Sequence, residues 1–145
     1  MKITEVKRFS NKAYDALVRL IPQLGPDVVV PDKRHFREVI GSDTTHFYIL
    51  ELDNGNIAGI LSLCIYPIPT GTKAWIEDVV VDEALRGNGY GRILMLHAIE
   101  YARSTGAKAI ELTSRPSRIA ANQLYRELGF IIRETNLYKF TIVLS

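Results

Sequence analysis

Apolar and polar residues alternate over KITEV (2–6), the period-two signature of a strand. Over NKAYDALVRLIPQL (11–24) the period lengthens: Tyr14, Leu17, Val18 and Ile21 recur at helical spacing, with Asn11 placed to cap the start and Pro22 placed to end or kink the helix. DKRHFREVI (32–40) predicts a second short helix. HFYILELD (46–53), a DNGN turn and IAGILSLCIYPI (57–68) then predict two strands joined by a tight hairpin, because Asn-Gly tolerates the positive φ angles such turns require. PTGT (69–72) leads into AWIEDVVVD (74–82), so residues 46–82 read as a three-strand antiparallel meander. In YGRILMLHAIEYARSTG (90–106), Tyr90, Ile93, Leu94, His97, Ala98 and Tyr101 share one helical face, while Leu96 and Ile99 make the opposite side apolar too. KAIELTS (108–114) predicts a strand, and Ser117–Leu128 a helix closed by Gly129. FIIRE and LYKFTIVLS predict two terminal strands and offer a candidate homodimer surface. The order β-α-α-β-β-β-α-β-α-β-β implies an α/β fold over residues 1–145: one domain, with a mixed, mostly antiparallel sheet flanked by helices.

Composition narrows the class. Hydrophobic residues make up 47% and charged residues 23% of the 145 positions, which suits one globular core. No apolar run approaches the ~18 residues of a spanning helix, and MKITEVKRF lacks the apolar stretch of a signal peptide, so neither a membrane nor secretion is expected. Eighteen basic residues against sixteen acidic give +2, and they are scattered, so charge does not point to nucleic acid. The single cysteine, Cys64, excludes an internal disulfide and any CxxC metal site. A cytoplasmic protein without a metal is the expectation.

Candidate chemistry begins at RGNGYG (86–91), where Gly87, Gly89 and Gly91 alternate. A dinucleotide fingerprint needs a glycine three residues after Gly89, and Arg92 stands there; a Walker loop needs a closing G-K-[ST], which does not follow. What remains is a strand ending at a glycine-rich turn whose backbone N–H groups, at a helix N-terminus, face outward toward an anion. A plain tight turn is the competing reading. Three glycines in a helix-initiating segment, each costing up to ~1 kcal/mol of helix propensity, favour close approach of a ligand instead.

VVVDEALRGNGYGRILM resembles the acetyl-CoA-binding segment of the GNAT superfamily of N-acetyltransferases, whose signature [QR]-x-x-G-x-[GA] is filled by Arg86, Gly89 and Gly91. AANQLYRELGF (120–130) is similar to the second signature, A-x-x-L-Y-x-x-x-G-F, with Ala121, Leu124, Tyr125, Gly129 and Phe130 in register. The element order matches over essentially the whole chain. One departure is Arg118, where the family often has asparagine; Asn122 lies four residues on.

The resemblance implies that residues Arg86, Gly87, Asn88, Gly89, Tyr90 and Gly91 hold the pyrophosphate of acetyl-CoA. It also implies that the pantetheine arm lies along Val79, Val80 and Val81, with Asn122 as a further polar contact. An extended amide-containing chain laid against an open strand is physically reasonable, by the logic of strand addition. Arg118, Asn122 and Tyr125 fall on one face of their helix. Tyr125 is the implied proton donor to the departing thiolate, its pKa of ~10 being near enough to that of a thiol. The attacking amine must first lose a proton. By strand alternation Glu77 shares a side with Val79 and Val81 while Asp78 points away, which favours Glu77 as base; a bulge would exchange them. The glutamate that some family members carry on the later strand is replaced here by Thr113. His97, mid-helix on an apolar face, reads as a packed or partly exposed histidine, His35 and His46 lack partners at ligand or triad spacing, Cys64 reads as a core residue, and Arg115 as a solvated loop arginine. The expected function is N-acetyl transfer from acetyl-CoA to a primary amine on a small molecule or peptide, by direct attack in a ternary complex. A non-catalytic acyl-CoA-binding module and a nucleotide-binding domain of another kind are the alternatives.

Overall fold

The computed structural model describes residues 1–144. They divide into two compact units, Met1–Thr113 and the residues from Ser114 onward.

In the first unit a five-stranded sheet runs in the order β1-β2-β3-β4-β5. Its strands are β1 (Lys2–Glu5), β2 (Thr45–Glu51), β3 (Ile57–Ile68), β4 (Gly71–Val81) and β5 (Ile110–Glu111). The first three pairings are antiparallel and β4–β5 is parallel, so the expected meander and mixed sheet are present. The β2–β3 turn closes on Gly55 at φ +88°, the left-handed geometry that Asn-Gly foretold.

Helix α1 (Asn11–Leu20) continues as a short 3-10 turn, Ile21–Leu24, with Pro22 inside it. Its cap is Ser10, not Asn11: the Ser10 hydroxyl accepts from the Ala13 amide at 3.1 Å, and Asn11 is already the first helical residue. Helix α2 (Lys33–Gly41) is capped in the same way by Asp32. Both helices bury apolar stripes, Ala13, Ala16, Leu17 and Leu20 on α1 and Phe36 and Ile40 on α2, in one cluster with Phe47, Ile49, Ile60 and Val80 of the sheet. Helix α3 (Tyr90–Ser104) takes the other face, where its His97 and Tyr101 rings meet Tyr48. Alternation along β2 thus sends Phe47 and Ile49 one way and Tyr48 the other, and helices cover both faces.

Gly59 makes the α3 contact possible. A β-carbon there would stand 2.8 Å from the Val80 carbonyl oxygen and 2.9 Å from Leu94 Cδ1, so only glycine lets α3 lie this close to the β3–β4 ladder.

The second unit contains α4 (Ile119–Glu127), which closes on Gly129 at φ +103° as the sequence implied. The two expected terminal strands do not form. Residues 130–144 carry no helix or strand, with Ile131, Tyr138, Phe140, Ile142 and Leu144 exposed; Ser145 lies outside the described residues. Alternation alone does not make a strand: an extended segment becomes one only when its N–H and C=O groups enter a ladder, and those of 130–144 enter none. The strand expected over 108–114 likewise shrinks to the two residues of β5, where pairing to β4 exists.

Candidate active site

Two features set the geometry of β4 beyond Trp75. The first is a β-bulge. Glu77 stands opposite Ser62 and Val80 opposite Ile60, so Asp78 and Val79 together face Leu61 alone. Asp78 takes up the extra residue at φ +51°, the sole non-glycine positive φ among the described residues. The bulge corrects the simple alternation expected for this strand: Glu77 shares its face with Val80 and not with Val79 and Val81. Asp78 is not turned away either, since both carboxylates line one cavity of about 370 Å³.

The second feature is an open edge. The β4–β5 ladder covers only Ala74 and Trp75, so from Ile76 onward the β5 side of β4 carries no strand among the described residues. Val79, Val80 and Val81 lie along that edge, with Val80 buried in the core cluster and its neighbours half-buried.

The cavity is walled by α1, α2, the Val28–Pro31 loop, β2 and β3. Both acids stay open to solvent, and the walls take only part of their hydration. Partial burial pushes the Glu77 carboxyl above the usual carboxylate range, and the neighbouring Asp78 charge adds to the effect. Burial raises Asp78 as well. Both groups are therefore better proton acceptors than a free side-chain carboxylate. Cys64, also in this wall, has its thiol pushed up by burial; the Thr45 hydroxyl 4.0 Å away draws it down, and the Glu77 and Asp78 charges push it further up. That makes it a poor nucleophile.

Beyond Val81 the chain turns through a short 3-10 segment, Glu83–Leu85, capped by the Asp82 carboxylate. Arg19 of α1 holds this corner, pairing with Asp82 and donating to the Ile57 carbonyl at 2.7 Å. Arg86 folds back, its Nε donating to the Val81 carbonyl at 3.2 Å, and the Asn88 amide donates to Leu85 at 2.8 Å. Gly87 and Gly89 both adopt left-handed φ, +84° and +81°, and a β-carbon at either would meet nothing within 4 Å. Gly89 is the N-cap of α3 and supplies no side-chain cap; the helical ladder starts with the Ile93 amide bonding the Gly89 carbonyl at 3.1 Å. The amides of Tyr90 and Gly91 precede that bond, at the positive end of a helix that runs to Ser104. Gly91, inside the first turn, bares the backbone there. The glycine-rich strand-to-helix turn read from RGNGYG is thus formed, and it is tied to the open end of β4 through Arg86.

Within the second unit, Asn122 and Tyr125 share one face of α4 and Arg118 stands at its N-cap. The Asn122 side-chain amide donates to the carbonyls of Arg115 and Arg118, each at 2.8 Å, fixing the loop that enters the helix. Tyr125 is buried and its ring meets Phe130 edge-on at 6.0 Å. Burial pushes its phenol up, and the Arg118 cation draws it partly back.

The remaining candidates fall away from this chemistry. His97 packs edge-on against Tyr48 on the α3 face. His46 does have a partner that spacing did not show: its Nδ1 lies 2.6 Å from the Glu5 carboxylate, across the β1–β2 pair. His35 lines the cavity rim, 3.6 Å from Glu38. Sequence reasoning missed the place of Asp78 beside Glu77 in one cavity wall and the contribution of Ser62, Thr45 and His35 to it; a bulge was the one signal that could have foretold the first, and no residue pattern announces it.

Helices on both faces of a mixed sheet, a bulged fourth strand with a free edge and a glycine-rich turn at a helix N-terminus define an α/β protein. The family comparison makes that class specific: residues 13–130 match the acetyltransferase (GNAT) family model, and the chain belongs to that family, whose members use acetyl-CoA as acetyl donor. The chain is 28% identical to the aminoalkylphosphonate N-acetyltransferase of Salmonella typhimurium over 136 residues, 90% of this chain and 86% of that protein. It is 38% identical to the glucosamine 6-phosphate N-acetyltransferase of Trypanosoma brucei brucei over 86 residues, 57% of this chain and 56% of the relative. The chain spans about half the length of several of the curated relatives it matches. In fold it is similar to a putative acetyltransferase from Agrobacterium tumefaciens, at a TM-score of 0.84 and 24% identity over 97% of this chain and all of that one. No described helix is long and apolar enough to cross a membrane.

Proposed function

We propose that the protein is an N-acetyltransferase that moves acetyl from acetyl-CoA to a primary amine by direct attack in a ternary complex. One observation carries the reading: the bulge at Asp78 sets two solvent-open, partly desolvated acids in one cavity wall, beside a strand edge that leads, through Val81 and Arg86, into the glycine cradle. The cradle suits the donor. Two left-handed glycines with open space at their missing β-carbons, and helix-terminal amides beyond them, offer close approach and positive potential to a pyrophosphate. In this assignment the backbone of Arg86, Gly87, Asn88, Gly89, Tyr90 and Gly91 holds the phosphates. The edge of Val79, Val80 and Val81 holds the pantetheine amides. When bound, acetyl-CoA supplies an activated thioester carbonyl.

Glu77 takes the proton of the acceptor ammonium, directly or through water, with Asp78 as its neighbour in the same wall. Their raised proton affinity suits the task, because a base closer in pKa to the amine accepts its proton more readily. Tyr125 gives a proton to the departing thiolate; the support is the second signature around it and the chemistry of a phenol. Asn122, by ordering the loop before α4, supports the cofactor arm. The names of the related acetyltransferases above give them amines that carry a phosphonate or a sugar phosphate, which supports an amine as the acceptor class here. A homodimer belongs to the same reading, since the exposed alternation Tyr138, Phe140, Ile142 and Leu144 suits pairing between copies; sedimentation gives a monomer if that part is wrong. The test of the function is thiol release from acetyl-CoA with an amine panel. Release that depends on amine and is lost in Glu77→Gln or Tyr125→Phe supports the reading. Tight coenzyme A binding with no turnover selects a non-catalytic acyl-CoA-binding module.

A further inference from the structure

From the cavity beside Glu77 and Asp78 we infer the acceptor class: a primary amine on an apolar, otherwise uncharged body, aliphatic or aromatic. The inference rests on the acetyltransferase reading and adds the substrate to it.

The cavity lining combines two chemistries. Glu77 and Asp78 on the bulged strand are its acidic residues, with Thr45, Ser62, Cys64 and His35 as its other polar ones. Leu17, Ile21, Val28, Phe36, Val39 and Phe47 are apolar, and Leu17, Ile21, Phe36 and Phe47 also belong to the hydrophobic core. An ammonium group placed at the two acids restores the ionised form that partial desolvation disfavours, and its carbon body then lies on side chains that offer dispersion. The volume is appropriate: an apolar cavity of about 150 Å³ holds a benzene ring, and 370 Å³ has room for a ring with its aminoalkyl arm.

The same lining rejects a second anionic group on the acceptor. No lysine or arginine is among the described residues that line the cavity, and Glu77 and Asp78 both are. The one side chain that can become cationic, His35, sits at the exposed rim beside the Glu38 carboxylate. A phosphate or phosphonate entering here would meet like charge and no compensating donor cluster. A polyhydroxylated acceptor would find only the Thr45 and Ser62 hydroxyls and His35 beside the two acids, and its remaining hydroxyls would lie unpaired against valine, leucine and phenylalanine.

The experiment measures kcat/KM for linear primary amines from propylamine to octylamine, for 2-phenylethylamine, and for 2-aminoethylphosphonate and glucosamine 6-phosphate. The expected result is a rise of about fourfold per added methylene until the cavity is full, and values for the two phosphorylated amines lower by roughly 100-fold than for hexylamine. A flat alkyl series, or preference for a phosphorylated amine, overturns the inference. The rim variant Val29→Lys, at an 85% exposed position, adds a cation without touching the core. It is expected to lower the hexylamine to 2-aminoethylphosphonate preference by about tenfold with an unchanged melting temperature; an unchanged preference counts against the proposed pocket. If no amine is turned over, the enzyme reading fails, and the acceptor inference is decided by calorimetry with hexylamine and 2-aminoethylphosphonate on the intact protein. Hexylamine binding that weakens in Val29→Lys sustains the pocket, and no binding, or preferred binding of the phosphonate, overturns it.

Discussion

Gly89→Ala, set against Gly106→Ala, separates backbone strain from ligand contact. Both glycines flank α3, at its N-cap and just past its end, with φ of +81° and +87°, and a β-carbon at either meets nothing within 4 Å. Each substitution forces an alanine into the left-handed region, which costs about 1–2 kcal/mol. Equilibrium urea unfolding is therefore expected to show similar losses of this size, at an unchanged slope. Only Gly89 stands in the segment where the pyrophosphate is proposed to approach. Its methyl group would occupy the space between the first-turn amides and a phosphate, and calorimetric titration with coenzyme A is expected to show affinity reduced by tenfold or more, at least ~1.4 kcal/mol. Gly106→Ala keeps wild-type affinity. Equal loss of affinity in both variants would attribute the effect to destabilised protein, and no loss in Gly89→Ala would remove the cradle from the donor site.

Asp78→Asn removes the charge that adds to Glu77's raised pKa, so the Glu77 midpoint, followed by carbon NMR of the carboxyl, falls toward the ordinary carboxylate value, and the rising limb of the kcat/KM pH profile moves down with it. The stability sign is opposite to that of a salt-bridged acid: a carboxyl whose folded pKa is raised binds its proton more tightly in the native state. Its contribution is complete below the unfolded pKa and lost as pH rises through the folded one, so Glu77→Gln at neutral pH loses turnover without losing stability in urea titration. Tyr125→Phe is expected to lower kcat by roughly 10²-fold or more with little change in coenzyme A affinity, as removal of a general acid does; an unchanged kcat takes the phenol out of the reaction. Gly59→Ala drives a methyl group against the Val80 carbonyl and Leu94, a packing fault of about 1–3 kcal/mol in urea unfolding, and displaces the Val79–Val81 edge.

The fold was largely legible because its elements are locally consistent. Helices α1 and α2, the Asn-Gly turn and the glycine closing α4 each carry their own physical cause, and each forms where the pattern placed it, although the buried stripe of α1 is Ala13, Ala16, Leu17 and Leu20 and leaves the expected Val18 exposed. What escaped depended on partners. The segment 130–144 alternates as a strand should, yet whether it pairs is decided by neighbours that its own residues do not encode. β5 is short for the same reason. The cap moved by one residue because Ser10 and Asn11 are both good caps and only the chain's entry angle chooses between them. At the site, RGNGYG announced its cradle through glycines that only unusual backbone or close approach explains. The bulge announced nothing. Asp78 at φ +51° is a local cost held in place by the ladders on either side of it, and that cost brings the second carboxylate into the cavity.

The central claim is that a bound amine takes the acetyl group directly from acetyl-CoA in this site. Single-turnover mixing of enzyme, acetyl-CoA and hexylamine, with thiol release and N-acetylhexylamine followed together, tests it most directly. The account predicts that thiol and amide appear at one rate, with equal yields, and that neither appears when the amine is withheld. Thiol release without amine, or bound acetyl-CoA that stays intact across the whole amine panel, would contradict it.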